Sequence, residues 1–487
     1  MICIPYLTGM LKKFSLRLEQ RKLIPFYLFL TLIVLLSLNN FFFWDKDILN
    51  SRQAFWYYEN GFSILPPAQL DSGHPPITGL LLAGLWKLTG IKLFIGHLAM
   101  LPFALGLVWQ LYKFLRFFFS PKTIFGALLL VIIDTSLLTQ IVILTGDLIT
   151  IFFFFLSVNC LLYKKRTLLI FALIGLGISS SRGMLACFIV GFFDIYLLID
   201  EMGWKKFIAN ILSSFLYYIP AIVIVVSYFL YHYIQRGWIA YDPINSNWAG
   251  CYERVGINGF IRNIFIVGWR FVDFGRLFLW IIAGYFLIRF LQKKLVLDRN
   301  IRILLFLFLI SLLVSLPSML IYKVLSSHRY IIPEFIVFAT LVSYLVLEKL
   351  PNKKLSRILY VFLLAGLLSG NFWVYPDTFA KGWDATLAHI PYYKLRREMI
   401  RYIDEKNIPF SEIGSEVPNV SKLKFIDLSK DDRAFSVKDF KLNEYIFYSN
   451  IYNEFTDQEL QELKEKWMVV KEFKMLQVRV TLYKSPY

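Results

Sequence analysis

Residues 23–47 read LIPFYLFLTLIVLLSLNNFFFWDKD, a nearly unbroken apolar stretch that ends in two carboxylates, Asp45 and Asp47. A run of roughly 17–25 apolar residues has the length that crosses a bilayer as a helix. Basic residues precede this run, from Lys12 to Lys22. The run is also longer than the apolar part of a signal peptide, roughly 7–15 residues. We therefore expect a retained membrane span with acidic side chains at its end.

Further apolar runs of the same length fill the first three quarters of the 487-residue chain, which is 57% hydrophobic and 18% aromatic. Such a composition excludes an ordinary soluble fold. The runs predict an all-α polytopic membrane bundle of eleven spans. The predicted spans are about 23–43, 91–117, 122–143, 147–163, 166–181, 184–199, 207–234, 270–291, 301–322, 330–348 and 356–374.

The distribution of charge orients this bundle. The chain carries a formal net charge of +18, whereas its last part, from Tyr375 to Tyr487, holds equal numbers of basic and acidic residues. The basic excess therefore belongs to residues 1–374 and indicates membrane topology rather than a nucleic-acid partner. A cytoplasmic N-terminus places most of these basic residues in cytoplasmic connections. This orientation requires that residues 75–90 do not cross and instead lie on, or dip into, the outer leaflet.

Residues 375–487 predict a separate extracytoplasmic α/β domain. Residues 392–406 and 455–467 have helical patterns, and Thr456 is a suitable N-cap for the second. The expected strands are Lys424 to Leu428, Tyr445 to Tyr448, Trp467 to Phe473 and Leu476 to Tyr483. The predicted domains are thus 1–374, with an outer loop at 44–90, and 375–487.

Polar motifs recur at the outer ends of the predicted spans. They are Trp44-Asp45-Lys46-Asp47, Gly73-His74-Pro75-Pro76, Thr145-Gly146-Asp147, Ser179-Ser180-Ser181-Arg182-Gly183 and His328-Arg329-Tyr330. Ionisable groups at a membrane border are unfavourable unless they are paired or used. On the predicted topology all five motifs lie on the same, outer side, so they predict one site at the level of the lipid head groups.

The order of these motifs resembles the multi-spanning C-type glycosyltransferases, in particular the protein O-mannosyltransferases and the aminoarabinose-type lipid-sugar transferases. In that family one or two acids follow the first span, then a Lys-Pro-Pro or His-Pro-Pro, then an acid at the start of the fourth span. A Thr-Lys-Gly-like turn ends the fifth span. Here Lys46 separates the two acids, and Arg182 replaces the lysine. The resemblance covers about residues 20–350 and implies the C-type fold.

The resemblance also implies a function: inverting transfer of a sugar from a polyprenyl phosphate to an acceptor at the extracytoplasmic face. The acceptor class stays open between protein, lipid and glycan, and the composition favours a bacterial inner membrane with a periplasmic site. A carboxylate can take the proton of the acceptor hydroxyl. Asp47 or Asp45 is the expected base, with a solvated helix cap as the alternative. Asp147 is expected to orient the acceptor, or else to cap the next helix.

The leaving phosphate requires cations or hydrogen-bond donors. His74 and Arg182 are candidates, against the alternatives of a helix-opening polar residue and an interfacial anchor. Arg270, Asp273 and Arg276 recur every third residue, which places them near one face of a helix. Either they bind phosphate, or they form a structural Arg–Asp–Arg bridge. His328 and Arg329 complete the predicted substrate-binding residues.

No metal or other cofactor is expected, because Lys46 lies between the two acids and opposes a divalent cation. Asp134 and Glu334, inside predicted spans, are interpreted as structural. Two other functions stay open. A transporter or flippase of lipid-linked sugars would need charged groups deep within several spans and would break no bond. A non-catalytic assembly protein would tolerate the substitution Asp47→Asn.

Overall fold

The structure is a computed structural model that describes residues 21–44, 47–239, 249–379, 382–452 and 454–486. Most of it is a helical bundle. In the described residues its first helices are α1 (Ile24–Leu36), α2 (Gln53–Asn60), α3 (Ile77–Thr89), α4 (Leu93–Phe118), α5 (Ile124–Ile132), α6 (Thr135–Val142), α7 (Asp147–Leu162), α8 (Arg166–Ser179) and α9 (Ser181–Met202). They continue as α10 (Trp204–Phe215), α11 (Ile219–Arg236), α12 (Ile257–Val272), α13 (Leu277–Leu291), α14 (Arg299–Ile321), α15 (Ile332–Tyr344) and α16 (Lys353–Ser369).

Five helical segments among the described residues are long and apolar enough to cross a membrane. They are α4, α9, α14, the segment His328–Lys349, which contains α15, and the segment Lys353–Phe372, which contains α16. Two bent pairs, α5 with α6 and α12 with α13, are also long and apolar enough if each pair is counted as one span, which brings the number to seven. A helix satisfies its own backbone groups, which is what the bilayer interior requires. The prediction of a helical membrane bundle is confirmed, while the number eleven stays a prediction.

Three of the predicted spans are interrupted in the structure. The run 122–143 bends by 63° between α5 and α6, because the Asp134 side chain accepts hydrogen bonds from the Ser136 and Leu137 amides and starts a new helix. The run 207–234 is divided between α10 and α11. The segment predicted to begin at 270 instead starts with α12, which meets α13 at 91°.

The bend between α12 and α13 has a clear backbone cause. Phe274 and Gly275 adopt left-handed conformations, with φ of 49° and 83°. A Cβ atom added at Gly275 would lie 2.1 Å from the carbonyl oxygen of Gly366 in α16. Only glycine accommodates both the positive φ and this approach. The two helices therefore meet at a fixed corner. As a result, the charged residues before and after the corner do not lie on one face of a continuous helix.

Residues 75–90 contain α3, a helix of 13 residues. At about 1.5 Å per residue such a helix spans about 20 Å, less than the roughly 30 Å of a bilayer core. The adjacent Pro75 and Pro76 suit a helix start. Leu82, Ala83 and Trp86 are buried in the core. That α3 stays in the outer leaflet remains a prediction.

The C-terminal part has a five-stranded sheet beside short helices. Its elements are α17 (Pro391–Glu405), β1 (Ile413–Ser415), α18 (Leu423–Ile426), β2 (Ser436–Val437), β3 (Tyr445–Ser449), α19 (Asp457–Glu465), β4 (Met468–Met475) and β5 (Val478–Lys484). The strand order is β2-β1-β3-β5-β4. β1 is parallel to β2 and β3, while β5 is antiparallel to β3 and β4. The predicted strand at Lys424 to Leu428 is wrong, because this segment contains α18, and β1 and β2 were not predicted.

This α/β domain contacts the chain just after α1. The Phe42 amide donates to the Ile426 carbonyl oxygen at 3.1 Å, and the Arg396 guanidinium lies 4.4 Å from the Phe41 ring centroid. Arg397 also donates to the carbonyl oxygen of Asn39 at 3.0 Å. The C-terminal domain is therefore packed onto the segment that leads to the two predicted acids.

Candidate active site

A cavity of ≈ 1200 Å³, here called the rim cavity, opens where the polar motifs meet. Residues from segments far apart in the chain line it, at 72–78, 140–147, 179–185, 322–330 and 377–384. The lining includes six of the predicted site residues. They are His74, Asp147, Arg182, Arg270, His328 and Arg329. The fold thus brings together side chains that are separated by up to 255 positions, and the prediction of a single site has a geometric basis.

Asp147 occupies the first position of α7. The Thr145 hydroxyl donates to its carboxylate at 2.9 Å. A carboxylate at this end of a helix is favoured by the helix dipole, so the fold tolerates it without a full ion pair. Arg329 approaches the carboxylate at 3.8 Å. Asp147 and Arg329 therefore lie next to each other on the cavity wall, at a distance longer than a hydrogen bond.

Arg329 also contacts an acid from the C-terminal part of the chain. Its Nε lies 3.6 Å from the carboxylate of Asp384, which accepts a hydrogen bond from the Ser327 hydroxyl at 3.0 Å. The backbone carbonyl oxygen of Asp384 accepts from Gln140 at 2.7 Å. The segment that carries Asp384 is therefore anchored to two helical connections, and Arg329 lies between two carboxylates at distances longer than hydrogen bonds.

His74 and Arg182 also line the rim cavity. His74 precedes the proline-started helix α3, and its Nδ1 forms a hydrogen bond with the Ser181 hydroxyl. Arg182 lies in the first turn of α9, whose N-cap Ser180 accepts a hydrogen bond from the Gly183 amide. The Arg182 guanidinium stacks on the ring of Tyr330. This stacking holds the guanidinium plane in one orientation while its edge remains available to an anion.

Arg270 and His328 lie deeper in the cavity. Arg270 Nε donates to the Ser326 carbonyl oxygen at 3.2 Å, but its Nη1 makes no hydrogen bond among the described residues. His328 Nε2 donates to Asp273 at 2.9 Å, and its Nδ1 likewise has no hydrogen-bond partner in the part of the chain that the structure describes. A buried donor without a partner is unfavourable. The unused donor of Arg270 is therefore suited to an anionic ligand.

Asp273 does not line the rim cavity but orients a residue that does. Besides the bond from His328, it accepts hydrogen bonds from the Tyr375 hydroxyl and the Phe274 amide. Burial raises the pKa of Tyr375, and the adjacent Asp273 carboxylate raises it further. The phenol therefore remains a neutral donor. Asp273 is an acceptor for three donors and fixes the ring of His328 from behind.

Arg276 is placed differently from the prediction. It is 1% exposed, does not line the rim cavity, and donates to Asp134 at 2.9 and 2.8 Å. The corner after α12 turns Arg276 away from Arg270, so the two guanidiniums do not share a helix face. The structural alternative therefore describes Arg276 better than phosphate binding, although its partner is Asp134 rather than Asp273.

The two predicted acids after α1 are only partly covered. Asp45 lies outside the described residues. Asp47 is the first residue of a π-helical turn, Asp47–Arg52, and only its backbone is described. Trp44 and Asn50, which flank the two acids, both line the rim cavity. Asn50 is fixed by a hydrogen bond of 2.6 Å to the Leu144 carbonyl oxygen, three residues before Asp147.

Two solved structures are similar to this chain in overall fold. ArnT from Cupriavidus metallidurans bound to undecaprenyl phosphate matches with a TM-score of 0.54 and 12% sequence identity, over 94% of this chain and 97% of that chain. The apo state of the same ArnT gives a TM-score of 0.52 and 12% identity, over 95% and 98%. The chain has the C-type glycosyltransferase fold. No protein-family model matches the sequence, and no curated protein matches it.

The C-type fold agrees with the resemblance seen in the order of the motifs and extends it to the C-terminal domain. It also explains why one residue of the site was missed. Asp384 was assigned to a separate domain, whereas the structure folds this segment back over the cavity beside Ser327 and Arg329. An acid between Gly382 and the helix that starts at Pro391 has no motif around it. No signal in one sequence marks it as part of the site.

Proposed function

We propose that the chain is an inverting glycosyltransferase that moves a sugar from a polyprenyl-phosphate donor to an acceptor on the extracytoplasmic face of a membrane. The proposal is supported by the C-type fold and by the undecaprenyl phosphate that is bound to ArnT in one of the two similar structures. The observation that carries it is the rim cavity, where cations and carboxylates meet at the ends of apolar helices. We also propose a bacterial inner membrane with a periplasmic site.

In the proposed reaction a carboxylate removes the proton of an acceptor hydroxyl, and the oxygen attacks the anomeric carbon of the donor sugar. The bond from that carbon to the phosphate oxygen breaks, and the prenyl phosphate leaves with the bonding electrons. Attack opposite the leaving group inverts the anomeric centre. Phosphate needs no proton to leave, so one base is sufficient.

The leaving phosphate is proposed to bind between Arg182, Arg270 and Arg329. Guanidiniums form paired hydrogen bonds with phosphate oxygens, and such bonds are stronger than those between neutral groups. Arg270 has an unused donor in a buried position, and Arg329 lies 3.8 and 3.6 Å from two carboxylates of the cavity. His74 completes this group. With guanidiniums available for the negative charge, the proposal includes no metal cofactor.

Asp47, or Asp45, remains the proposed base, and Asp147 the residue that orients the acceptor. The position of Trp44 and Asn50 on the cavity wall supports this assignment, because the two acids lie between them in the chain. Asp147 lies on the wall of the rim cavity, 3.8 Å from Arg329. The sequence leaves the acceptor open between protein, lipid and glycan.

The test uses purified full-length protein with prenyl-phosphate sugars and acceptors from a membrane extract, and it measures release of free prenyl phosphate. Asp47→Asn, Asp45→Asn and the double variant are compared with Asp432→Asn, which removes an exposed acid of the C-terminal domain. We expect one single variant and the double variant to lose roughly 10²–10⁴-fold in turnover with donor binding kept. The control should equal wild type.

Full turnover in the double variant would refute the assignment of the base. Two further results would refute the proposed function itself. If wild type releases no prenyl phosphate from any donor but moves the donor between leaflets of a vesicle, the chain is a flippase. If it neither cleaves nor moves donors, and Asp47→Asn has no phenotype in cells, it is an assembly protein.

A further inference from the structure

A second, smaller cavity lies directly behind the rim cavity. This inner chamber measures ≈ 40 Å³ and shares Asp147, Arg182 and Arg329 with the rim cavity. Other parts of its walls come from α14 and α15, which contribute Ser315 and Glu334; neither residue lines the rim cavity. The catalytic scheme above assigns no role to this chamber or to Glu334.

Glu334 is the most unusual residue of the chamber. It is 1% exposed, and one carboxyl oxygen accepts a hydrogen bond from the Ser315 hydroxyl at 2.7 Å. The other oxygen, Oε2, has no hydrogen-bond partner among the described residues. Buried polar atoms are nearly always paired, and an exception in a functional region calls for a missing partner. A hydrogen-bond donor on a ligand that enters the chamber from the rim cavity would supply this partner, and the alternative is a buried water.

The size of the chamber limits that donor. A buried water needs roughly 10–15 Å³ of such volume, so the chamber accommodates about three water-sized atoms. A sugar ring is too large to enter, but a short substituent of the ring fits. Because the chamber adjoins Asp147 and Arg329, a sugar held in the rim cavity can extend one substituent into it.

The lining also limits the chemistry of the substituent. Phe154, Ile189 and Met319 form apolar walls beside the serine hydroxyls and the Glu334 carboxyl. A methylene group suits the apolar walls and a hydroxyl suits Oε2 of Glu334. Arg182 and Arg329 bound the same space, so a neutral hydroxyl is favoured over an ammonium group.

We propose that the inner chamber binds the hydroxymethyl group of a hexose, so that the transferred sugar is a hexose rather than a pentose or a 6-deoxy sugar. This inference rests on the proposed function, because it assigns a part of the donor to a part of the same site. The C6 hydroxyl donates to Oε2 of Glu334, and the methylene packs against Phe154.

The test compares prenyl-phosphate donors that differ by one group: mannose, 6-deoxymannose and lyxose, and in parallel glucose, 6-deoxyglucose and xylose. We expect wild type to prefer one hexose over its two truncated analogues by at least about 10-fold in kcat/KM, because a site built to bond a hydroxyl rejects analogues without it. Glu334→Leu should remove this preference. Glu334→Gln, which keeps an acceptor oxygen, should retain part of it.

Two further variants separate the chamber from general damage to the fold. Ala186→Leu fills the chamber from α9 and should reduce turnover of the hexose while sparing the pentose. Ser343→Ala is the matched control, because Ser343 is a buried residue of α15 whose hydroxyl also lacks a hydrogen-bond partner in the described structure, but it does not line the chamber. Its donor preference should equal that of wild type.

The outcomes separate a failure of the chamber inference from a failure of the proposed function. If wild type cleaves none of the six donors but releases prenyl phosphate from other lipid-linked sugars, the chamber inference fails while the function stands; if it releases prenyl phosphate from no donor, the proposed function fails. If wild type cleaves the hexose, 6-deoxy and pentose donors of a series equally, or prefers a truncated analogue, the chamber inference fails while the function stands. If Glu334→Leu and Ala186→Leu fold and both keep the wild-type preference, the chamber holds water only and the inference is overturned.

Discussion

Arg276 and Arg329 both contact aspartates, and the contacts differ in how closely each guanidinium approaches its acids. Arg276 donates to Asp134 at 2.9 and 2.8 Å, and both side chains are almost fully buried. Arg329 approaches Asp147 and Asp384 to 3.8 and 3.6 Å and lines an open cavity. The comparison teaches that the type of pair does not reveal its role. Short bonds in a closed space indicate structure, and long contacts around a space indicate capacity for a ligand.

The largest expected effect is a loss of stability when the buried pair of Arg276 and Asp134 is broken. Arg276→Ala leaves the Asp134 carboxylate buried without its cation, which typically costs about 3–5 kcal/mol. We expect a large fall in the midpoint of thermal unfolding of the purified protein. Arg276→Lys keeps the charge but loses the paired geometry and should be intermediate. A midpoint equal to wild type for Arg276→Ala would show that the pair is dispensable.

Arg329→Ala should mainly reduce turnover, with a smaller effect on stability. Arg329 lies 3.8 and 3.6 Å from the two carboxylates, beyond hydrogen-bond distance, so the midpoint of thermal unfolding should fall less than it does for Arg276→Ala. Turnover should fall roughly 10²–10³-fold, because removal of one donor to the developing charge has this effect in other enzymes. Release of prenyl phosphate and thermal unfolding are measured on the same preparation. A loss of stability without a loss of turnover would show that Arg329, like Arg276, has a structural role.

The smallest expected effect concerns the buried imidazole of His389, which does not line the rim cavity. Burial lowers the pKa of His389 to about 4, and the residue bonds Thr386 and Tyr393. Since the unfolded state titrates near 6.5, it takes up the proton first as the pH falls. Stability should therefore be lost from about pH 6.5 downward and level off below about pH 4, by up to about 3 kcal/mol.

Thermal unfolding of wild type and His389→Gln between pH 7.5 and pH 5 measures this effect. The variant has no titrating imidazole, so its midpoint should fall less steeply with acid. Parallel curves for the two proteins would mean that other groups produce the acid sensitivity.

The sequence predicted the parts that depend on local chemistry. The proline-started helix after His74, the helix that begins at Asp147 and the capped helix after Thr456 all begin within a few residues of their predicted starts. Each has a signal within one turn of chain. The order of the motifs then indicated one site, and the fold places six of the predicted residues around one cavity.

The sequence could not predict the interruptions, because apolar residues continue through them. Asp134 lies inside such a run, and its partner Arg276 is 142 positions away. The corner at Gly275 depends on the approach of Gly366, which no local pattern records. Pairing over such distances decides which charges face the cavity. For this reason Arg270 and Arg276, which the sequence spacing treats alike, are placed differently.

The contact of the C-terminal domain with the segment after α1 bears on how the protein is made. The indole of Trp44 donates to Glu454 at 3.2 Å, and Asp384 and Phe455 line the rim cavity. The rim cavity is therefore complete only when nearly the whole chain has been synthesised. A polypeptide that is still being inserted into the membrane therefore has an incomplete rim cavity.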